Sequence, residues 1–199
     1  MKTINFMITG VGGQGTVLAS EIMAAVGLAA GYDVKKSDLL GLSVRGGAVI
    51  GHVRWGETVF SPIVPEGRVD YLLAFEVLEA LRHLGQVTST GTILVNQQKI
   101  YPVTVSSGLA EYPSEEVIDE SLYATTKNIY KVPAIDLALQ VGNSKVLNIV
   151  LIGALSALFD IEASIWESVI RERVPAKFTE LNIKAFNAGR DWMIERKNK

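Results

Sequence analysis

The chain has 199 residues, 19 basic against 21 acidic side chains, 48% apolar and 20% charged residues, and no cysteine. This predicts a single domain over residues 1–199 with material for a sizeable core. It excludes a disulfide framework, a thiolate zinc site, a cysteine nucleophile and thiolate-ligated iron–sulfur clusters, and a formal charge of −2 gives nucleic acid no basic footprint.

Residues 3–8 form a short β-branched and aromatic run that stops at Gly10, as a buried strand does. From 15 to 30, Val17, Leu18, Ile22, Ala25, Val26 and Ala29 recur at helical spacing, and Gly31 closes the helix. Residues 32–36 return to a strand-like pattern, so the opening reads as strand–helix–strand with a parallel pair. Residues 48–55 alternate as a strand, and Gly56-Glu57 followed by Thr58-Val59-Phe60 predicts a hairpin return.

Residues 69–75 form a strand leading into a helix at 77–84, and 92–95 repeat the strand pattern. Between 99 and 130 the periodicity weakens around Pro102, Ser106-Ser107-Gly108 and Pro113, which predicts short strands, loops and one helix near 115–121. The last third predicts helices at 134–141, at 144–159 behind an Asn143 or Ser144 cap, at 163–173 and at 177–196. The 144–159 helix is apolar almost all round, which requires burial on several sides, either inside the domain or against another chain. Its apolar stretch, 146–159, falls short of the roughly 20 residues of a membrane span, and residues 4–8 are too short for a signal h-region, so the expected place is the cytoplasm, away from membranes. The fold class is α/β: a Rossmann-like, mostly parallel sheet flanked by helices, with an antiparallel hairpin insertion and a helical C-terminal third.

Gly10-Val11-Gly12-Gly13-Gln14-Gly15 lies between the first strand and the first helix, the context in which a glycine loop can hold a phosphate on backbone N–H groups. Either it binds an anion there, helped by Thr16, or the glycines only permit a tight turn and close helix–sheet packing. Asp38 stands about where a dinucleotide site wants a ribose acceptor, which keeps a free-standing NAD- or flavin-nucleotide oxidoreductase as the alternative; a loop or cap role is the other reading. A second cluster, Gly41-Leu42-Ser43-Val44-Arg45-Gly46-Gly47, should fall at the same end of the sheet, where Arg45 offers a planar fork and Ser43 a hydroxyl; the other reading is an interface salt bridge with turn glycines. His52 and His83 have no companion at ligand spacing and read as structural, with no metal site. Glu76 and Glu79 at a helix start either favour its dipole or face solvent.

With these residues in hand, the sequence resembles the small subunit of indolepyruvate ferredoxin oxidoreductase, and more broadly the gamma subunit or domain of 2-oxoacid ferredoxin oxidoreductases. The likeness runs over nearly the whole length: GVGGQG; Gly41-Leu42-Ser43 with Arg45-Gly46-Gly47; His52-Val53-Arg54; Ser61-Pro62 ahead of Gly67; Glu76, Glu79, Ala80 and Arg82; Asn96 with Pro102; Asn148 with Gly153-Ala154; and Lys177 with Glu180, Asn182, Ala185, Phe186 and Gly189. Val44 departs from the Gln that indolepyruvate-type relatives often carry before Arg-Gly-Gly.

The resemblance implies a complex that oxidatively decarboxylates a 2-oxo acid such as indolepyruvate, reduces ferredoxin and passes the acyl group to coenzyme A. It implies that a larger catalytic subunit carries thiamine diphosphate, Mg2+ and the Fe–S clusters, since this sequence has neither Gly-Asp-Gly nor cysteine. This chain then has no catalytic residues, is inactive alone, and contributes Gly10, Gly12, Gly13, Gln14, Gly15, Thr16, Ser43, Arg45, Gly46 and Gly47 to an anion-binding wall facing coenzyme A.

Overall fold

The computed structural model describes residues 3–40 and 47–197. Among them, six strands form one sheet in the order β2-β3-β1-β4-β5-β6. The strands are β1 (Ile4–Val11), β2 (Asp33–Leu40), β3 (Ala48–Gly56), β4 (Val69–Ala74), β5 (Val87–Asn96) and β6 (Asn128–Val132). β1, β4, β5 and β6 pair in parallel, whereas β3 pairs antiparallel with both β1 and β2.

The hairpin expected at 48–60 does not form; the antiparallel pair of the sheet lies one strand earlier. Its arms are β2 and β3, registered Asp33↔Gly56 to Leu40↔Val49, and β3 occupies the place beside β1 where a parallel β1–β2 pair was expected. No strand forms at 58–60. That segment belongs to a loop pinned by side chains: Val59 N donates to Asp33 Oδ2, Arg54 Nη1 to the carbonyls of Ser61 and Ile63, and Val64 N to His52 Nδ1. Pro62 and Pro65 lack the N–H a ladder needs there.

Helix α1 (Thr16–Ala29) packs Ala19, Ile22, Met23 and Val26 onto the sheet with no exposure. It ends in a Schellman motif: Gly31 takes φ 88°, its N–H reaches Leu28 O, and Tyr32 N reaches Gly27 O. The same face carries α5 (Ala134–Gln140), α6 (Leu147–Ser156), α7 (Ala163–Arg173) and α8 (Thr179–Lys197). The opposite face carries α2 (Val77–Arg82) and α4 (Glu115–Thr125), while α3 (Val103–Ser106) is a single turn in the β5–α4 connection.

All ten residues of α6 are buried inside this chain, which answers the question its all-round apolar sequence raises. It lies between α5 and α8 and under the sheet. Gly153 and Gly189 set the α6–α8 separation, since a Cβ on Gly153 would lie 2.0 Å from Phe186 O and one on Gly189 1.9 Å from Val150 O. Asn143 caps the turn ahead of α6, accepting from Lys145 N at 2.9 Å. No helix among the described residues is long and apolar enough to cross a membrane.

Candidate functional site at the carboxyl edge of the sheet

Parallel strands point their carboxyl ends at one edge, and ligands of open α/β sheets bind in the crevice just beyond it. Here β1, β4 and β5 end at that edge and β3, running the other way, begins there. Between them lies a cleft of about 340 Å3, lined by Val11, Gly47, Glu79, Arg82, Tyr101 and Val103 among others.

The glycine loop follows β1 at this edge, and Val11 at its start lines the cleft. Gly13 and Gly15 take φ 105° and 82°, conformations that favour glycine. Two of the loop's backbone donors are already spent: Gly12 N reaches Gly47 O at 2.8 Å and Gln14 N reaches Val11 O at 3.1 Å. Gln14 is likewise committed. Its Oε1 accepts from Val11 N at 2.8 Å, and its Nε2 donates to Phe75 O at 2.9 Å and to Gln98 Oε1 at 3.1 Å, tying the ends of β1, β4 and β5 together.

Among the described residues, the N–H groups of Gly13 and Gly15 meet no protein acceptor. α1 starts without a side-chain cap, so its first-turn donors are also available. Thr16 is buried and its hydroxyl has no partner. Asn148, buried on α6, packs against Gly15 and donates to its carbonyl at 3.4 Å.

The loop pair expected to converge does so at Gly47, hydrogen-bonded to Gly12. Ser43, Arg45 and Gly46 lie outside the described residues, as does Val44. Asp38 is neither a loop residue nor a helix cap. It sits on β2, accepts from Ser20 Oγ at 2.7 Å and pairs with Lys36. With β3 intervening between β2 and β1, Asp38 is two strands away from the glycine loop's strand and tied to the flank of α1, so the dinucleotide reading loses its ribose acceptor.

Glu76 and Glu79 are buried, against the solvent-facing alternative for them. Glu76 is the N-cap of α2: its Oε2 accepts from Glu79 N at 2.9 Å, and its Oε1 from Ile100 N at 3.1 Å and Tyr112 Oη at 2.6 Å. Burial, and then this bond to Glu76, push the Tyr112 phenol far above its usual range. Glu79 Oε1 accepts from Arg82 Nη1 at 2.7 Å while its Oε2 is buried without a partner. Burial raises the Glu79 carboxyl, with the Arg82 charge opposing. His52 is buried on β3 as an acceptor, and burial lowers its imidazole. Sequence reasoning missed the Glu79–Arg82 pair as a feature of the cleft; the signal was the i,i+3 spacing of opposite charges just beyond a strand.

Thiolate ligation of an iron–sulfur cluster has no ligands in this chain. The sequence has no cysteine, and among the described residues no three His, Asp or Glu side chains come together as metal ligands.

The family model described as pyruvate ferredoxin/flavodoxin oxidoreductase matches residues 5–192. The chain belongs to that family. Within this oxidoreductase family, indolepyruvate oxidoreductase subunit IorB of Pyrococcus horikoshii is 41% identical over 192 residues, covering 95% of each chain. The IorB subunit of Thermococcus kodakarensis is 40% identical over 195 residues with the same coverage. Among solved structures, the gamma subunit of a keto/oxoacid ferredoxin oxidoreductase from Geobacter sulfurreducens superposes with a TM-score of 0.71 at 26% identity, over 96% of this chain and 99% of that one. The chain is thus a gamma-type small subunit of the 2-oxoacid ferredoxin oxidoreductases, and the free-standing nucleotide-binding oxidoreductase is not favoured.

Proposed function

We propose that this chain is the cofactor-free small subunit of an indolepyruvate-type ferredoxin oxidoreductase. The complex decarboxylates the 2-oxo acid oxidatively, reduces ferredoxin and transfers the acyl group to coenzyme A, and a larger cytoplasmic partner subunit holds thiamine diphosphate, Mg2+ and the Fe–S clusters. The observation that supports this reading is the match of 95% of the chain to IorB subunits, in a polypeptide with no cysteine to hold a cluster.

In this reading the small subunit supplies the coenzyme A approach. Gly13 and Gly15, with the first turn of α1, offer N–H donors to a phosphate; Gly12, Gln14 and Gly47 hold the loop in shape; Ser43 and Arg45 complete the wall, with Gly46 allowing close approach. Gly10 is the next-to-last residue of β1, and Thr16 begins α1.

Co-expression with the neighbouring large subunit tests the proposal. The expected result is a co-purifying, coloured complex that reduces ferredoxin with indolepyruvate and coenzyme A, and a small subunit that is colourless and inactive alone. Reduction of a dye by the isolated small subunit with a 2-oxo acid would overturn it.

A further inference from the structure

Arg82 is the one cation among the described residues lining the carboxyl-edge cleft. It ends α2, and its side chain is 49% exposed. Only Nη1 is engaged, on Glu79 Oε1; Nε and Nη2 meet no protein acceptor among the described residues. Beneath it, Glu79 is held at 4% side-chain exposure on a helix that Glu76 fastens to Ile100 and Tyr112. A carboxylate buried this deeply would ordinarily be unfavourable, yet here it fixes one edge of a guanidinium and leaves the other edge turned to a cleft large enough for a ligand group.

Across the cleft's rim stands Tyr101, 58% exposed, its ring set edge-on to Tyr112 at 5.1 Å and 80°. Tyr112 is itself hydrogen-bonded to Glu76, so Glu76 fastens both the helix that carries Arg82 and the ring against which Tyr101 packs. Val103 beside it is 83% exposed. A planar cation with a free fork and a flat ring lining the same cleft form a combination that recognises a phosphorylated nucleotide: the fork takes the phosphate and the ring takes the base.

We infer that Arg82, positioned by the buried Glu79, binds a phosphate of the nucleotide portion of the acyl acceptor, with Tyr101 stacking on its base. This rests on the reading that the small subunit faces coenzyme A.

The test uses the assembled complex and steady-state KM values for coenzyme A and for the 2-oxo acid. Arg82→Ala is expected to raise the KM for coenzyme A by about tenfold or more, about 1.4 kcal/mol per tenfold, with a change of less than about twofold in that for the 2-oxo acid. Arg82→Lys, which keeps the charge but loses the fork, is expected to recover part of the loss. Because Arg82→Ala strips the buried Glu79 of its partner, the doubly neutral Glu79→Gln/Arg82→Gln complex serves as the variant that keeps its fold, with the same rise expected. Tyr101→Ala is expected to raise the coenzyme A KM alone, and to weaken competition by adenosine 3′,5′-bisphosphate.

Arg45→Ala separates the two levels of the argument. If it raises the coenzyme A KM while the Arg82 variants do not, the role of Arg82 is overturned and the broader reading stands. If none of the Arg45, Arg82 and Tyr101 variants moves that KM, both are overturned.

Discussion

Gln14 shows how a single side chain can be legible in a sequence and its role not. The GVGGQG pattern marks an amide beside a glycine loop, which suggests a ligand contact. One partner, Val11, is local, but the other two, Phe75 and Gln98, lie 61 and 84 residues away, and nothing local in the sequence announces them. Glu76 and Glu79 were hidden in the same way, because charged residues at a helix start are ordinarily exposed. His52 is a case where the local reading, a structural histidine on a strand, agrees with the geometry, and its environment yields a pH prediction. Its Nδ1 accepts a backbone N–H, which requires the neutral ring, and burial lowers its pKa below the ordinary 6.5. The unfolded chain therefore binds a proton that the folded chain refuses, and the stability present above pH 6.5 is lost as pH falls below it. His83, lowered mainly by burial as well, adds to the same slope. Urea midpoints are expected to drop between pH 7.5 and 5.5, and His52→Gln is expected to make that drop shallower; an equally steep drop in the variant would remove His52 from the explanation.

At the level of helices and strands, the periodic segments were readable and the irregular ones were not. α1, α7 and the strands at β1, β3 and β4 fall within a few residues of their expected limits, because each carries an uninterrupted apolar period. β2 runs on to Leu40 through Lys35, Lys36 and Asp38, polar residues that mask a strand whose charges are paired along it, Lys35 with Asp33 and Lys36 with Asp38. β6 was lost in the weak stretch before Tyr130 because only Val132 of its five residues is buried. The all-round apolar α6 gave the right demand for burial but could not name its neighbour. That neighbour is α8, and the contact rests on two glycines facing carbonyl oxygens. Gly153→Ala and Gly189→Ala are each expected to push the helices apart at a cost of about 1–3 kcal/mol or more, read as a lowered urea midpoint. Gly85→Ala, where an added Cβ meets nothing within 4 Å, is the control and is expected to stay within about 0.5 kcal/mol. Equal effects at the three sites would mean that helix approach does not set the cost.

For the molecule as a whole, the α/β class and the C-terminal helical layer were legible, while strand order was not, because which strand lies beside β1 depends on how the β2–β3 pair folds back rather than on any residue in β1. The resulting sheet separates two apolar layers and also joins them. β1 sends Phe6 and Ile8 into the larger core and Met7 into the smaller; β5 sends Leu94 one way and Ile93 and Val95 the other. Neither layer can open without stripping the central strands of half their burial, so residues 1–199 are proposed to unfold as one cooperative unit. The three tryptophans make this measurable, since Trp55, Trp166 and Trp192 all belong to the larger core. Tryptophan fluorescence therefore reports that layer alone, whereas far-ultraviolet circular dichroism also follows α2 and α4 on the other face. The two probes are expected to give coincident urea transitions with one midpoint and one slope. A circular dichroism transition that begins before the fluorescence moves would show the smaller layer melting first, and the sheet would then be a boundary between two units rather than the element that couples them.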